Sequence, residues 1–336
     1  LYFLYSLIIS FGKTDMIFLA YRFHDIISAF LLINYILVRK IDILKEINYV
    51  FRLIIIHAFI GFILSVFFFD LFSPISYLTD EKIGISRFLL FFAPNSSYLG
   101  IHRAQGLFWE PGVLQIYLNI FLFILLSINQ KKEWFFILIT SFLILATLST
   151  TGFIIFSIII IYFFSGIILR KPIFVILFLL TSPIFYGYYN FTKIILNDKF
   201  DGDRVGSYEA RRFDALNSLN IILDNPFGIG FNHEKYQEIA RNNIYNIDSL
   251  VKTDRASTNG ILILFVSTGV FFGFMFLTML FFQNTLQKNK YLVFLIIVFS
   301  LSSEPLFFSP FFLIFALSSF VSSKQSIFNF KYERVL

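Results

Sequence analysis

Long apolar runs separated by short polar connections cover most of the chain. A bilayer core of about 30 Å needs about 20 apolar residues in a helix, so each run predicts a membrane-spanning helix. The runs lie at roughly 1–11, 16–38, 50–70, 108–127, 134–149, 151–169, 172–189, 259–282, 291–303 and 305–322. The pattern therefore predicts an all-α integral membrane protein with about ten transmembrane helices.

Two longer polar segments, 71–107 and 190–258, interrupt this pattern. In the second, leucines recur on one face and predict a helix over 207–223, which ends before a proline. These leucines are Leu216, Leu219 and Leu223. Gly228 and Gly230 then allow a tight reversal close to the membrane surface, and a second short helix is predicted from about 234 to 241. The segment 190–258 is therefore expected to be a partly helical subdomain.

The short loops between the runs carry lysine and arginine, and all of them fall on one side of the predicted membrane. The residues are Arg39, Lys40, Lys45, Lys131, Lys132, Arg170, Lys171, Lys288, Lys290, Lys324, Lys331 and Arg334. Since basic short loops remain in the cytoplasm, this side is cytoplasmic. We therefore expect 1–189 to hold transmembrane helices with an extracytoplasmic loop at 71–107. A large extracytoplasmic loop at 190–258 is expected to follow, and then C-terminal transmembrane helices and a cytoplasmic tail at 259–336.

The net charge of +6 has this topological cause, so we expect no nucleic-acid partner. The spans are almost free of charge, whereas a transporter is expected to carry ionisable groups in mid-span and two related halves. A polysaccharide or lipid transporter nevertheless stays open as an alternative from a different class of protein.

Composition supports a membrane environment and excludes several kinds of site. The chain is 57% hydrophobic and 14% charged, with a mean hydropathy of +0.78, whereas soluble proteins are about 45–50% apolar and about 25% charged. The absence of cysteine excludes disulfides, thiolate catalysis and cysteine-based zinc sites. The four histidines show no metal-ligand spacing, so we expect neither a metal nor a cofactor.

Ionisable residues gather at the predicted outer membrane boundary, where they are costly to hold unless they bind charge or do chemistry. Arg103 and Glu110 precede the run at 108–127, Arg211 and Arg212 lie in the large loop, and Glu304 lies between the last two runs. Arginine binds phosphate oxygens through a planar fork. A partly desolvated glutamate is a suitable general base.

Each of these residues also has a simpler interpretation. Arg103 could be an interfacial anchor that extends to lipid headgroups, and Glu110 could serve only to start a helix before Pro111. Arg211 and Arg212 could pair with Glu209 and Asp214 on a solvated face. Similarly, Glu304 could be a turn residue between two spans.

Three segments carry a resemblance to a known family. They are RAQGLFWEPG at 103–112, RRF at 211–213 followed by NPFGIGF at 225–231, and STN at 257–259 before a run that contains Gly269 and Gly273. In this order, with a large loop before the third segment, they resemble the O-antigen polymerase and O-antigen ligase superfamily of polytopic membrane glycosyltransferases. The resemblance covers roughly residues 100–275.

The resemblance implies transfer of an oligosaccharide from undecaprenyl pyrophosphate at the outer face of the bacterial cytoplasmic membrane. It implies undecaprenyl-pyrophosphate-linked glycans as substrates, the lipid bilayer as surroundings and a chain-length regulator protein as a candidate partner. Glu110 and Glu304 are the catalytic candidates, and Arg103, Arg211 and Arg212 are the candidates for binding pyrophosphate. The supporting residues are Gly106, Pro226, Gly228, Gly230 and Asn259.

The third segment favours a polymerase over a ligase. The family's ligases carry a histidine directly before the asparagine, and this chain has Thr258 there. We therefore expect a metal-independent enzyme that polymerises repeat units into O-antigen or capsular polysaccharide. The alternatives are an O-antigen ligase that transfers glycan to lipid A-core and, more distantly, a peptidoglycan polymerase.

Overall fold

The computed structural model describes residues 16–39, 41, 43–74, 85–95, 97–98, 101–128, 133–168, 205–231, 233–242, 259–286 and 289–321. The apolar runs at 1–11 and 172–189, together with Ser257 and Thr258, lie outside the described residues. The helices are α1 Met16–Arg39, α2 Ile43–Phe67, α3 Pro111–Ile128, α4 Trp134–Ala146, α5 Thr150–Ile168, α6 Val205–Asp224, α7 His233–Asn242, α8 Gly260–Phe281, α9 Lys290–Ser303 and α10 Pro310–Leu317.

The protein is mostly helical, as its apolar runs predict. Within the described residues, three helices are long and apolar enough to cross a membrane, over Ala20–Arg39, Lys45–Phe67 and Gly260–Phe281. Five further apolar helices are shorter, and the count of ten spans stays a prediction. The two helices predicted in the large loop are confirmed as α6 and α7.

The chain divides into two compact units. The central unit is Lys45–Asp198, and the terminal unit combines Leu1–Leu44 with Lys199–Leu336.

In the central unit, α3 is the buried helix, and α2, α4 and α5 pack around it. Phe51 of α2 stacks on Phe121 of α3 with ring centroids 5.1 Å apart, and α3 is buried along most of its length. Arg52 of α2 donates to Glu133, the residue before α4, at 2.5 Å, and lies over the ring of Phe136. A charged residue inside an apolar helix is thereby paired with a carboxylate.

The 71–107 segment contains short strands, which the all-α prediction did not include. Strands β1 Ser73–Pro74, β2 Ile85–Phe88 and β3 Phe91–Pro94 form an antiparallel sheet, and β4 Ser97–Tyr98 pairs with β5 Ile101–His102. Residues 85–94 form a hairpin around Leu89 and Leu90. Backbone pairing satisfies the polar groups of a segment with no helical apolar period.

In the terminal unit, α8 contacts α6, α9 and α10, and α10 also packs against α1. Gly260, the first residue of α8, lies directly against the backbone of the connection between α9 and α10: a Cβ atom there would overlap Leu301, Glu304 and Pro305. The start of α8 and the end of α9 are therefore fixed against each other.

Candidate functional site

Arg103 is held against the end of α4. Its Nε donates to the carbonyl of Thr147 at 2.7 Å, and the neighbouring Ala104 amide donates to Ala146 O at 2.9 Å. The last carbonyls of a helix carry partial negative charge, which attracts a guanidinium. The Arg103 head group is thus fixed to protein backbone, unlike a free anchor that extends to lipid headgroups.

The residues between Arg103 and α3 form a tight turn. Gln105 is buried and donates to the carbonyl of Phe108 at 2.8 Å. Gly106 has φ +64°, and a Cβ atom there would lie 3.2 Å from Ala58 Cβ. Phe108 stacks on Tyr117 of α3 at 4.8 Å. Gly106 therefore has a backbone role in placing the segment that carries Arg103 and Glu110.

Glu110 starts α3. Its carbonyl accepts the amides of Val113 at 3.1 Å and Leu114 at 3.3 Å, and Pro111 occupies the first helical position. The backbone of Glu110 therefore starts the helix, as the simpler interpretation of this residue expected. Glu110 is half-buried and lies at the entrance of a buried apolar helix, and its catalytic role stays a prediction.

Arg211 and Arg212 are exposed on the first half of α6. Neither guanidinium forms an ion pair with the side chains that the structure describes, and the side chain of Glu209 is not one of them. Asp214 is buried on α6, so it is not a solvated surface partner for them. Both arginines remain accessible to a charged ligand.

The turn that contains Pro226, Gly228 and Gly230 docks onto a break in α8. At Gly269, φ is +79° and ψ is 170°, which interrupts the helix. Three backbone hydrogen bonds join the turn to this break: Ile229 N to Val266 O at 2.8 Å, Gly230 N to Ser267 O at 3.1 Å, and Val270 N to Pro226 O at 2.8 Å. The predicted reversal at Gly228 and Gly230 is therefore present, beside residues 266–270 of α8.

The two surfaces are complementary group by group. In a continuous helix, Val270 N would bond to Val266 O, and the next amide would bond to Ser267 O. At the break the turn supplies partners to three of these groups: it donates to Val266 O and Ser267 O, and it accepts from Val270 N. Side chains could not fit here, because a Cβ atom on Gly228 would lie 2.6 Å from Gly269 N. The glycines of the motif therefore serve backbone-to-backbone contact.

Asn259 and Glu304 come together in the terminal unit. The Asn259 side chain caps α8 by accepting the Leu262 amide at 3.1 Å. The adjacent Gly260 lies against the backbone of Glu304, whose extended conformation ends α9. Asn259 is thus a helix cap, and Glu304 is a residue of the connection, as its simpler interpretation proposed.

The sequence interpretation missed two charged residues in the terminal unit. Arg22 and Asp25 lie in α1, within a run interpreted as nearly free of charge, and their side chains are 3.7 Å apart. The Arg22 guanidinium lies over Phe308, at 5.6 Å from the ring centroid, in the connection that begins at Glu304. Phe308 also packs against Phe231, the last residue of the docked turn. Charge inside an apolar run is a functional signal in the sequence that could have identified Arg22.

The predicted site residues divide between the two units. Arg103, Gly106 and Glu110 belong to the central unit, and Arg211, Arg212, Pro226, Gly228, Gly230, Asn259 and Glu304 belong to the terminal unit. Among the described residues there is no group of three or more histidine, aspartate or glutamate side chains that could hold a metal ion.

A family model described as O-antigen ligase matches residues 135–278, somewhat less than half of the chain. The match includes Arg211, Arg212, the docked turn and Asn259, and it excludes Arg103, Glu110 and Glu304. No curated protein and no solved structure matches the chain. The predicted resemblance to the O-antigen polymerase and ligase superfamily is confirmed, and the apolar helices together with this match indicate a membrane protein.

Proposed function

Because residues 135–278 match the O-antigen ligase family, we propose that this chain is a polytopic glycosyltransferase acting on lipid-linked glycans. It polymerises undecaprenyl-pyrophosphate-linked oligosaccharide repeat units into O-antigen or capsular polysaccharide at the outer face of the bacterial cytoplasmic membrane. One observation carries the proposal: the matched segment contains two accessible arginines and the glycine turn docked onto a broken apolar helix. A chain-length regulator protein is a candidate partner of this activity.

The reaction needs a proton acceptor and a group that stabilises the leaving pyrophosphate. The acceptor hydroxyl oxygen attacks the anomeric carbon of the donor sugar, and the bond from that carbon to the pyrophosphate oxygen breaks. The hydroxyl proton passes to a carboxylate, for which Glu110 is the first candidate and Glu304 the second. Undecaprenyl pyrophosphate leaves with the bonding electron pair.

Arginine fits the second need. Arg103, Arg211 and Arg212 each carry a planar cationic fork of donors that matches phosphate oxygens. A donor aimed at developing charge in a dry site contributes about 3–4 kcal/mol to transition-state stabilisation. Two separate arginine clusters suit a reaction in which donor and acceptor both carry pyrophosphate.

A polymerase is favoured over a ligase by Thr258, which stands where the family's ligases carry histidine. A gel of surface polysaccharide from a deletion strain separates the two activities. Loss of the ladder with one repeat unit still attached supports a polymerase. Loss of all glycan from lipid A-core, with lipid-linked polymer accumulating, would instead identify a ligase, and unchanged glycan would exclude both.

Conservative substitutions test the arginines. Arg103→Lys and Arg211→Lys keep the charge and lose the planar fork, so chain elongation should fall sharply in both variants. Arg87→Lys is the matched control, because Arg87 is exposed on β2. If both test variants make glycan chains of wild-type length, the proposal that these arginines bind pyrophosphate is wrong.

Isosteric substitutions test the carboxylates. Glu110→Gln keeps the backbone that starts α3 and removes the base, so polymerisation should stop while the protein still inserts. Glu46→Gln serves as control, because Glu46 is exposed in the first turn of α2. If the Glu110→Gln variant is active and the Glu304→Gln variant is inactive, Glu304 is the general base. If both variants have normal activity, neither carboxylate is the proton acceptor.

A further inference from the structure

The docked turn lies alongside the middle of an apolar helix. Helix α8 has 22 residues, so its length is about 33 Å. The bonds to the turn involve residues 266–270, which lie about 9–15 Å from the first residue of α8. Because α8 is long and apolar enough to cross a membrane, the turn lies well below the level at which α8 begins.

Helix α6 follows α8 down to this depth. Ile221 of α6 clusters with Val266 of α8. Further along the sequence, Pro226, just after α6, accepts a hydrogen bond from the amide of Val270 in α8. The two helices therefore run in the same direction over this stretch. Arg212 lies nine residues before Ile221, about 14 Å back toward the level of Asn259.

One exposed side of α6 is apolar. Leu216 is 49% exposed, Leu219 is 46% exposed and Leu223 is 78% exposed, and Phe227, just beyond the helix, is 72% exposed. These four residues form the leucine stripe of α6. The spacing of three and four residues keeps the three leucines on one side of the helix, and Phe227 follows in the turn.

The buried face of α6 is largely polar. Asp214, Asn217 and Ser218 are buried beside Phe213 and Ile221. A helix at the surface of a soluble domain has the opposite pattern, with apolar residues inside and polar residues in water. In a bilayer, polar side chains face the protein interior and apolar side chains face lipid.

From this depth and this inverted polarity we propose that the leucine stripe of α6 contacts the acyl chains of the bilayer. The α6 helix and the turn form a re-entrant segment that enters from the level of Asn259 and ends halfway along α8. Irregular backbone at that depth is tolerated because its polar groups bond to the break at Gly269. Phe271 and Phe274 of α8 are also exposed apolar side chains.

Other exposed residues define the limit of this lipid surface. Asn220 and Asp224 follow stripe residues by one position and lie on one edge of the stripe. Helix α7 exposes Glu234, Glu238 and Arg241, and it buries Tyr236 and Ala240. In the proposed arrangement α7 therefore faces water, and only the stripe side of α6 faces lipid.

Spin labels at single cysteines test this arrangement, because the chain contains no cysteine. Nitroxides at Leu219→Cys and Leu223→Cys, in protein reconstituted into phosphatidylcholine and phosphatidylglycerol vesicles, report collisions with dissolved oxygen or a water-soluble nickel chelate. A label at Phe274→Cys is the lipid reference, and a label at Glu238→Cys is the water reference. All four positions are exposed, so labelling leaves the packed interior intact, and thermal denaturation of each labelled variant checks the fold.

We expect oxygen collisions at 219 and 223 to match those at 274, with nickel collisions several-fold fewer than at 238. Nickel collisions as frequent as at 238 would place α6 in water and overturn the proposal. Labels shielded from both reagents would show that protein covers the stripe, either residues 172–189 or a second copy, and would also overturn it. None of these outcomes depends on glycosyltransferase activity, so the proposed function is tested separately.

Discussion

Alanine at position 269 should release the docked turn from α8. A Cβ atom on Gly269 would lie 2.5 Å from the carbonyl carbon of Phe227 and 2.6 Å from its oxygen. These are backbone atoms, so no side-chain rotation can relieve the overlap. The backbone angles at Gly269, φ +79° and ψ 170°, also belong to a region that is essentially restricted to glycine.

The expected cost follows from these two effects. Backbone strain at such a position costs about 1–3 kcal/mol. The turn must also move away, and the three hydrogen bonds it makes with α8 contribute about 0.5–1.5 kcal/mol each. Together these effects predict a destabilisation of the docked state by roughly 2.5–7.5 kcal/mol. A straight α8 then becomes the better structure, because alanine favours a helix by about 1 kcal/mol over glycine.

Two measurements can detect this release. A cysteine at Ile229, which is buried in the docked turn, should react faster with a thiol reagent in the Gly269→Ala background. Thermal denaturation in detergent should also occur at a lower temperature. Gly273→Ala is the control, because that glycine lies in the same helix and the atoms nearest to its Cβ belong to the Phe265 side chain, which can move, and not to backbone. If Gly269→Ala and Gly273→Ala behave alike in both measurements, the interpretation of the turn as a backbone lock is wrong.

Three further substitutions have defined outcomes. Arg52→Met leaves the Glu133 carboxylate buried without its partner. This variant should lose about 3 kcal/mol of stability in thermal denaturation. The double variant with Glu133→Gln should regain much of that loss, because the buried charge is removed. Asn259→Ala removes the cap of α8 and should cost about 1 kcal/mol in the same assay, whereas Asn259→Ser should cost less. Arg22→Leu should slow chain elongation more than Arg39→Leu does at equal membrane content, because Arg22 lies over Phe308.

The sequence determined most of the helices. Apolar runs that exclude charge predict helices because backbone polar groups in lipid must be satisfied within the segment. The structure confirms this at seven of the runs through α1, α2, α3, α4, α5, α8 and α9, and it confirms α6 and α7 in the large loop. The limits of α10 differ, since the final run at 305–322 begins with an irregular connection and becomes helical only at Pro310.

Only the tertiary structure decided how the candidate residues are held. Arg103 bonds to Thr147, 44 residues away, and the turn at Gly228 meets the break at Gly269, 41 positions later in the chain. Local periodicity carries no information about such contacts. The same reason explains α6: the leucine spacing predicted a helix with one apolar face, and only packing against α8 showed that polar residues are buried and the leucines are outside. The pattern of side chains fixes the faces of a helix, whereas its neighbours in space decide which face is buried.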